Sequence, residues 1–145
     1  PMVSVAIRPA RYTLKGIREN GQFSLNVPSV SQARAADFCG IQSGARVDKV
    51  QECEFTVFYG ELRTAPLIQE CPINLECEVE RIVELPSHNL VLGMVVDVHV
   101  SDDCLTDGTI DFAKANPLVF LDNPTRKYCE IGKMAGEAFS IGKTP

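Results

Sequence analysis

Residues 73–100 read INLECEVERIVELPSHNLVLGMVVDVHV. In the first part Ile73, Leu75, Cys77 and Val79 alternate with Asn74, Glu76, Glu78 and Glu80, the period-two pattern of a strand with one face on the core and the other in water. Pro86-Ser87-His88-Asn89 makes a turn. Leu90, Leu92, Met94, Val96, Val98 and Val100 then hold the same period, with Val91, Gly93 and Val95 on the opposite face before Asp97 and His99. The first half of this second strand is therefore expected to be buried on both sides, which places it centrally in a sheet or at a subunit interface. Two long strands joined by a turn point to antiparallel pairing.

On the N-terminal side, the alternating apolar run Met2 to Ile7 predicts another strand, ended by Pro9. Tyr12-Thr13 open a short helical pattern that Gly21 closes at the usual C-terminal position. Phe23, Leu25 and Val27 then alternate with Ser24 and Asn26, a strand that Pro28 stops. Arg8, Arg11, Lys15 and Arg18 all precede the first acidic residue, Glu19. A turn entering a helix N-terminus offers unpaired N–H groups and the positive end of the helix dipole, and guanidinium and hydroxyl groups beside it suit a phosphate. Taken alone, the segment reads more readily as solvated surface, with Arg and Lys stems covering apolar area.

Ser29 and Gln32 have capping-box spacing ahead of a helix through about Phe38. The segment CGIQSGARVDK, Cys39 to Lys49, follows. Gly40 and Gly44 permit close backbone approach to a ligand, and Ser43, Arg46 and Lys49 supply polar groups, so this loop is a second candidate binding surface. A helix end followed by a polar turn explains the same residues.

The chain of 145 residues suits one domain. Its 45% hydrophobic and 23% charged content is that of a globular protein. The net charge of -5 is unevenly divided: residues 1–49 carry +4 and the remainder -9. One basic third on an acidic protein is a poor nucleic-acid surface and fits a small anionic ligand better. No apolar run reaches membrane-spanning length, and no signal-peptide pattern opens the chain, so a cytoplasmic protein without membrane contact is expected. The six cysteines form no CxxC pair, and neither His88 nor His99 stands at zinc spacing from any of them. No metal is expected, and the thiols are expected to be reduced.

Further along, Phe55 to Tyr59 and Leu118 to Leu121 predict short strands, and Ile110 to Ala115 a helical turn. GEAFSIGK at the C-terminus has one residue too many between Gly136 and Gly142 for a phosphate loop. No GxGxxG occurs, which excludes a dinucleotide-binding Rossmann unit. Long antiparallel strands with two or three short helices predict a mainly β, α+β fold: an antiparallel barrel or sandwich with peripheral helices.

Together, VSVAIRPARYT, NVPS, DFCGIQSGARVDK, APLI-x-ECPINLECEV, SHNLVLGMVVDVHV and AFSIGK resemble, in order and over nearly the whole chain, the FMN-binding split-barrel flavin reductases, and among these the flavoredoxin-like branch. The resemblance implies a split β-barrel and a homodimer with non-covalent FMN between protomers. It also implies a flavin reductase or electron-transfer activity using NADH or NADPH, with free flavin or a protein as acceptor. By the same likeness Arg11 and Thr13, with Arg8 nearby, meet the FMN phosphate and ribityl side. Asn26 approaches the flavin; Cys39, Gly40, Ser43 and Gly44 belong to the loop beside the ring. Lys49 is the cationic contact, His88 a histidine reaching the cofactor, and Phe120 a cover for the ring. No side chain is assigned a catalytic role, because the flavin carries the redox chemistry. Cys39, beside cations and a helix end, reads either as a thiol of lowered pKa or as packing against the flavin. Pro1 aligns inside the family's third strand, so residues 1–145 are read as one flavin reductase-like domain without the first strands. Two alternatives stay open: a non-catalytic FMN-binding electron carrier, and a truncated homologue that binds no flavin.

Overall fold

The computed structural model describes residues 1–143. Its centre is a four-stranded antiparallel sheet in the order β1-β6-β5-β2, formed by β1 (Met2–Ile7), β2 (Gln22–Val27), β5 (Ile73–Glu84) and β6 (Asn89–Val100). The hairpin of β5 and β6 is its spine: Ile73 pairs with Val100 at one end and Glu84 with Asn89 at the other. β1 adds to β6 with Met2 opposite Met94, and β2 adds to β5 with Phe23 opposite Cys77. The long second strand is central, flanked by β1 and β5.

Helix α1 (Tyr12–Asn20) crosses between β1 and β2 and lays Leu14 and Ile17 on the sheet. Its C-terminus is set by Gly21, whose φ of 66° lets its N–H reach Ile17 O at 2.9 Å, a left-handed cap that glycine adopts without a Cβ penalty. Leu14, Ile17, Phe23, Cys77 and Val91 form the main buried cluster; full burial of each large member stabilises by about 1.5–3 kcal/mol. Phe23 lies across Gly93, where a Cβ would come within 2.5 Å of the ring. Only glycine admits the ring at that point of β6.

Ser29 and Gln32 form the expected capping box, and after a single 3-10 turn α2 runs over Ala33–Ile41. Helix α3 (Lys49–Glu52) begins where Asp48 accepts hydrogen bonds from Val50 N and Gln51 N. Short strands β3 (Val57–Phe58) and β4 (Leu67–Ile68) pair with each other. Beyond β6 come a small hairpin, β7 (Leu105–Thr106) and β8 (Thr109–Ile110), then α4 (Phe112–Ala115), and a hairpin of β9 (Val119–Leu121) and β10 (Lys127–Cys129). No helix among the described residues is long and apolar enough to cross a membrane.

Three details differ from the sequence reading. The first long strand continues past Val79 to Glu84, because a register shift between Val79 and Arg81 absorbs Glu80 and restores alternation. The segment from Phe55 to Tyr59 keeps strand geometry only at Val57–Phe58. On β6 it is Val91, Gly93 and Val95 that face α1, whereas Met94, Val96 and Val98 are left exposed. Met94 stands opposite Met2 of β1 on the outward face, while the register shift between Glu76 and Cys77 turns Val98 to the side of Leu75 and Asp97 to that of Glu76.

Candidate functional site

The end of β1, the first turn of α1, the end of α2 and the start of α3 surround a hollow of about 380 Å³, within the range of small-molecule sites. Seven of the residues singled out from sequence line it: Arg11, Thr13, Cys39, Gly40, Ser43, Gly44 and Lys49. Two segments about thirty residues apart in sequence are brought together because α1 and α2 flank β2, one at each end.

The first turn of α1 is electrostatically bare. Arg11 occupies the N-cap position with extended backbone and makes no side-chain cap, and the first turn holds no acidic residue. The N–H groups of Tyr12 and Thr13 thus have no intrahelical acceptor. The acidic neighbour in sequence, Asp48, has its carboxylate turned onto the N–H groups of α3. Positive partial charge from the helix end, the Arg11 guanidinium and the Lys49 ammonium is left without a counter-ion among the residues lining the hollow.

Both cations are held by backbone. Arg11 Nη1 donates to Gly40 O at 3.0 Å and Lys49 Nζ donates to Cys39 O at 2.6 Å. These carbonyls belong to the last turn of α2, where C=O groups lack intrahelical partners and a cation is favoured by the dipole. Each side chain keeps spare donors, two on the ammonium and several on the guanidinium. The residues present suit a phosphate ester: fixed cations, a threonine hydroxyl and unpaired N–H groups converge on one mouth.

A second hollow of about 420 Å³ shares Thr13, Cys39 and Lys49 with the first and brings in Asn26, Ile68 and Cys71. Asn26 is engaged in the fold: Nδ2 donates to Ser24 Oγ at 3.1 Å, and Oδ1 accepts from Ile68 N at 3.0 Å. Its amide, with the Ser24 hydroxyl bonded to Pro66 O, ties β4 across β2. Cys39 does not have the lowered pKa considered from its setting. Burial pushes its thiol up, the neighbouring Cys53 thiol adds to the rise, and Lys49 only partly opposes them. This favours packing over thiolate chemistry.

Three expected residues lie apart from the hollows of their own chain. Arg8 contributes its carbonyl to the turn, accepting from Arg11 N at 3.0 Å, while its side chain is exposed. His88 sits in the β5–β6 turn with Nδ1 3.0 Å from Ser87 Oγ. Phe120 packs on Tyr128 across the β9–β10 hairpin, ring centroids 5.2 Å apart, and Tyr128 donates to Asp37 of α2 at 3.1 Å. Sequence reasoning missed Tyr12, which lines the first hollow and stands over Gly44 at 3.3 Å from where a Cβ would lie. Its position next to the N-cap was the available signal.

Comparison with known proteins places this geometry. The flavin reductase like domain model matches residues 1–132. A flavoredoxin from Methanosarcina acetivorans superposes with a TM-score of 0.92 at 40% identity, over 99% of this chain and 75% of that one. The flavoredoxin of Desulfovibrio vulgaris (Miyazaki F) gives 0.91 at 35% identity, over 99% and 76%. A relative from Aeropyrum pernix is 32% identical over 127 residues, 87% of this chain. The chain spans 48% of that relative's length and 62% of that of one from Archaeoglobus fulgidus. With this match over most of its length, the chain belongs to the flavin reductase-like domain family, in the flavoredoxin branch, with the split-barrel fold.

Proposed function

We propose that the chain binds FMN non-covalently, with the phosphate at the first turn of α1, and works as an FMN-dependent NAD(P)H:flavin oxidoreductase or flavoredoxin-type electron carrier. The observation that carries the proposal is the convergence of Arg11, Thr13 and Lys49 on a helix N-terminus with no acidic residue to neutralise them. When bound, FMN supplies the two-electron chemistry between a nicotinamide and a free flavin or partner protein. Arg11 and the N–H groups of Tyr12 and Thr13 hold the phosphate dianion. Lys49, pinned beside Cys39, offers its remaining donors to the electron-rich edge of the ring system. Cys39 and Gly40 give that edge a close, partly apolar wall.

A homodimer belongs to the same proposal. It is supported by the exposed Met2 and Met94, paired across β1 and β6, with exposed Val96 and Val98 farther along β6, apolar surface that a second copy can cover. Arg8, His88 and Phe120, which lie outside the hollow of their own chain, are proposed to act at the partner's site. Light scattering on purified protein tests this, with a monomer at micromolar concentration counting against it. A cytoplasmic location is proposed as well, in keeping with six cysteines that are all unpaired.

The direct test is the visible spectrum of purified protein, mass identification of what denaturation releases, and NADH or NADPH oxidation with free FMN as acceptor. Stoichiometric FMN with turnover supports the enzyme. A yellow protein without turnover supports the carrier, and a protein that stays colourless after FMN addition refutes the site.

A further inference from the structure

Away from the hollow, a second group of polar side chains gathers on the sheet. Strand pairing sets Asn74 opposite His99 and Glu76 opposite Asp97, with no register shift between the two pairs. Residues two apart share a face, so the four side chains form a square on one side of β5 and β6. Glu76 is fully buried even though its strand alternation marks its face as wet. The loop before β4 covers it: Leu62 N donates to Oε2 at 2.6 Å and Glu61 N to Oε1 at 3.1 Å. At Gly60 a Cβ would fall 1.8 Å from Glu76 Oε1 and 2.7 Å from His99 Nε2, so the backbone passes directly over the pair.

The electron-pair donors in this square outnumber the protons available to them. His99 Nε2 lies 2.7 Å from Glu76 Oε1 and 3.5 Å from Asp97 Oδ2. The other Asp97 oxygen accepts from Val98 N at 2.8 Å, and one imidazole N–H serves only one of the two carboxylates fully. Asn74 makes an independent case. It is 4% exposed, its Nδ2 donates to Cys71 O at 3.0 Å, and its Oδ1 is buried without a hydrogen-bond partner among the described residues. An unpartnered buried carbonyl oxygen on the face that carries two carboxylates and an imidazole is a feature a bound cation would explain.

We propose that Asn74, Glu76, Asp97 and His99 form a binding site for a divalent transition-metal ion beneath the loop at residues 60–62. Ligand atoms of Glu76, Asp97 and His99 lie within 4.8 Å of one another, compatible with bonds of about 2.0–2.2 Å to a single ion. Three oxygens and one imidazole nitrogen select Mn2+, Fe2+ or Zn2+, since Ca2+ takes oxygen alone and Cu(I) takes sulfur. The surrounding contacts suit the role. The N–H groups of Glu61 and Leu62 orient the Glu76 carboxylate while leaving a lone pair on each oxygen. Phe58 meets the His99 ring edge-on, centroids 5.6 Å apart at 88°, and limits its rotation. None of the four residues lines the hollow at Arg11 and Lys49, so the proposal stands apart from flavin binding. No spacing in the sequence announces it, because the ligands meet only through the β5–β6 register.

Mn2+ is the suitable probe because it competes poorly for the six thiols. Protein stripped with EDTA and exchanged into chelator-free buffer is titrated with MnCl2, and free ion is read by electron paramagnetic resonance. One Mn2+ per chain is expected, with the dissociation constant raised about tenfold or more in both Asp97→Ala and His99→Gln. Asp97 is half exposed and its removal leaves the Glu76–His99 bond in place, so this variant decides the matter if His99→Gln does not fold. Absence of binding up to about 1 mM Mn2+, or wild-type affinity in a folded Asp97→Ala, overturns the proposal.

Discussion

Lys49→Met separates two roles that one ammonium group holds. The substitution keeps most of the apolar stem and removes the charge and three donors. In the folded protein one of those donors reaches Cys39 O at 2.6 Å in the last turn of α2. Losing a cation at a helix C-terminus costs about 0.3–1 kcal/mol, and the hydrogen bond itself about 0.5–1.5 kcal/mol; the contributions overlap, so stability should fall by about 1 kcal/mol. The remaining donors face the hollow shared with Arg11 and Thr13. One charge-assisted hydrogen bond to FMN is worth about 1.5–3 kcal/mol, which raises the dissociation constant from about tenfold to somewhat over a hundredfold. Quenching of FMN fluorescence on titration measures the second quantity, and urea unfolding of the apoprotein the first. Lys49→Arg restores the charge and should recover stability more fully than affinity, because the fork places its donors differently. A stability loss near 1 kcal/mol with FMN affinity unchanged within about twofold would mean that Lys49 only caps α2, and would remove it from the site.

Thr13→Val removes a hydroxyl beside the bare helix end and is expected to weaken FMN binding by about 0.5–1.5 kcal/mol, read in the same titration, with the urea midpoint of the apoprotein unchanged. Gly93→Ala drives a methyl to 2.5 Å from the Phe23 ring, and because that ring is buried against Leu14 and Ile17 the variant should lose about 1–3 kcal/mol. Phe23→Leu in the same chain should return part of that loss, and strict additivity of the two changes would show that the contact is not the cause. Asp111 caps α4 and accepts from Thr106, Ala113 and Lys114, the Thr106 bond being the main reason its carboxyl titrates below the usual range. A folded pKa below the unfolded value near about 3.9 means that this stabilisation is complete above that pH and is lost as pH falls through the folded value. The midpoint difference between wild type and Asp111→Asn should therefore be constant at neutral pH and vanish in acid. Burial pushes the Cys71 thiol up to about 11, so at pH 8 its thiolate fraction is roughly a hundredfold below that of an unperturbed thiol. Peptide mapping after iodoacetamide should find Cys71 among the slowest of the six to react.

The parts of the fold that were legible in the sequence are those set by neighbours in the chain. Gly21 ends α1, Ser29 and Gln32 start the turn into α2, and the alternations of β1, β2 and β6 carry their own period. Those that were not legible depend on register. The second half of β5 was hidden because Glu80 interrupts the alternation and the register shift that absorbs it leaves no local signal. Glu76 read as a wet position because its cover comes from Gly60 to Leu62 and His99, none of them adjacent in sequence. Burial of the first half of β6 on both sides, in the sheet or at a subunit interface, was read from hydrophobicity alone, which does not say which face α1 takes. The hollow was legible through the likeness of its two segments to one family, which brought seven of the eleven proposed contacts into one place. The attachment of Arg11 and Lys49 to α2 was not, since an exposed cation and a helix-capping one look alike as letters.

That attachment bears on how a ligand would be received. Long cationic side chains ordinarily lose up to about 1.5–2 kcal/mol of rotamer entropy each when a ligand immobilises them. Here the end of α2 restrains both before any ligand arrives, so most of that ordering belongs to folding, and the hollow meets an incoming phosphate already aligned. The same bonds run in the other direction. A ligand that draws on the two cations draws on the carbonyls of Cys39 and Gly40, so fraying of the last turn of α2 and departure of the ligand are thermodynamically linked, and amide exchange in that turn should slow when the hollow is filled.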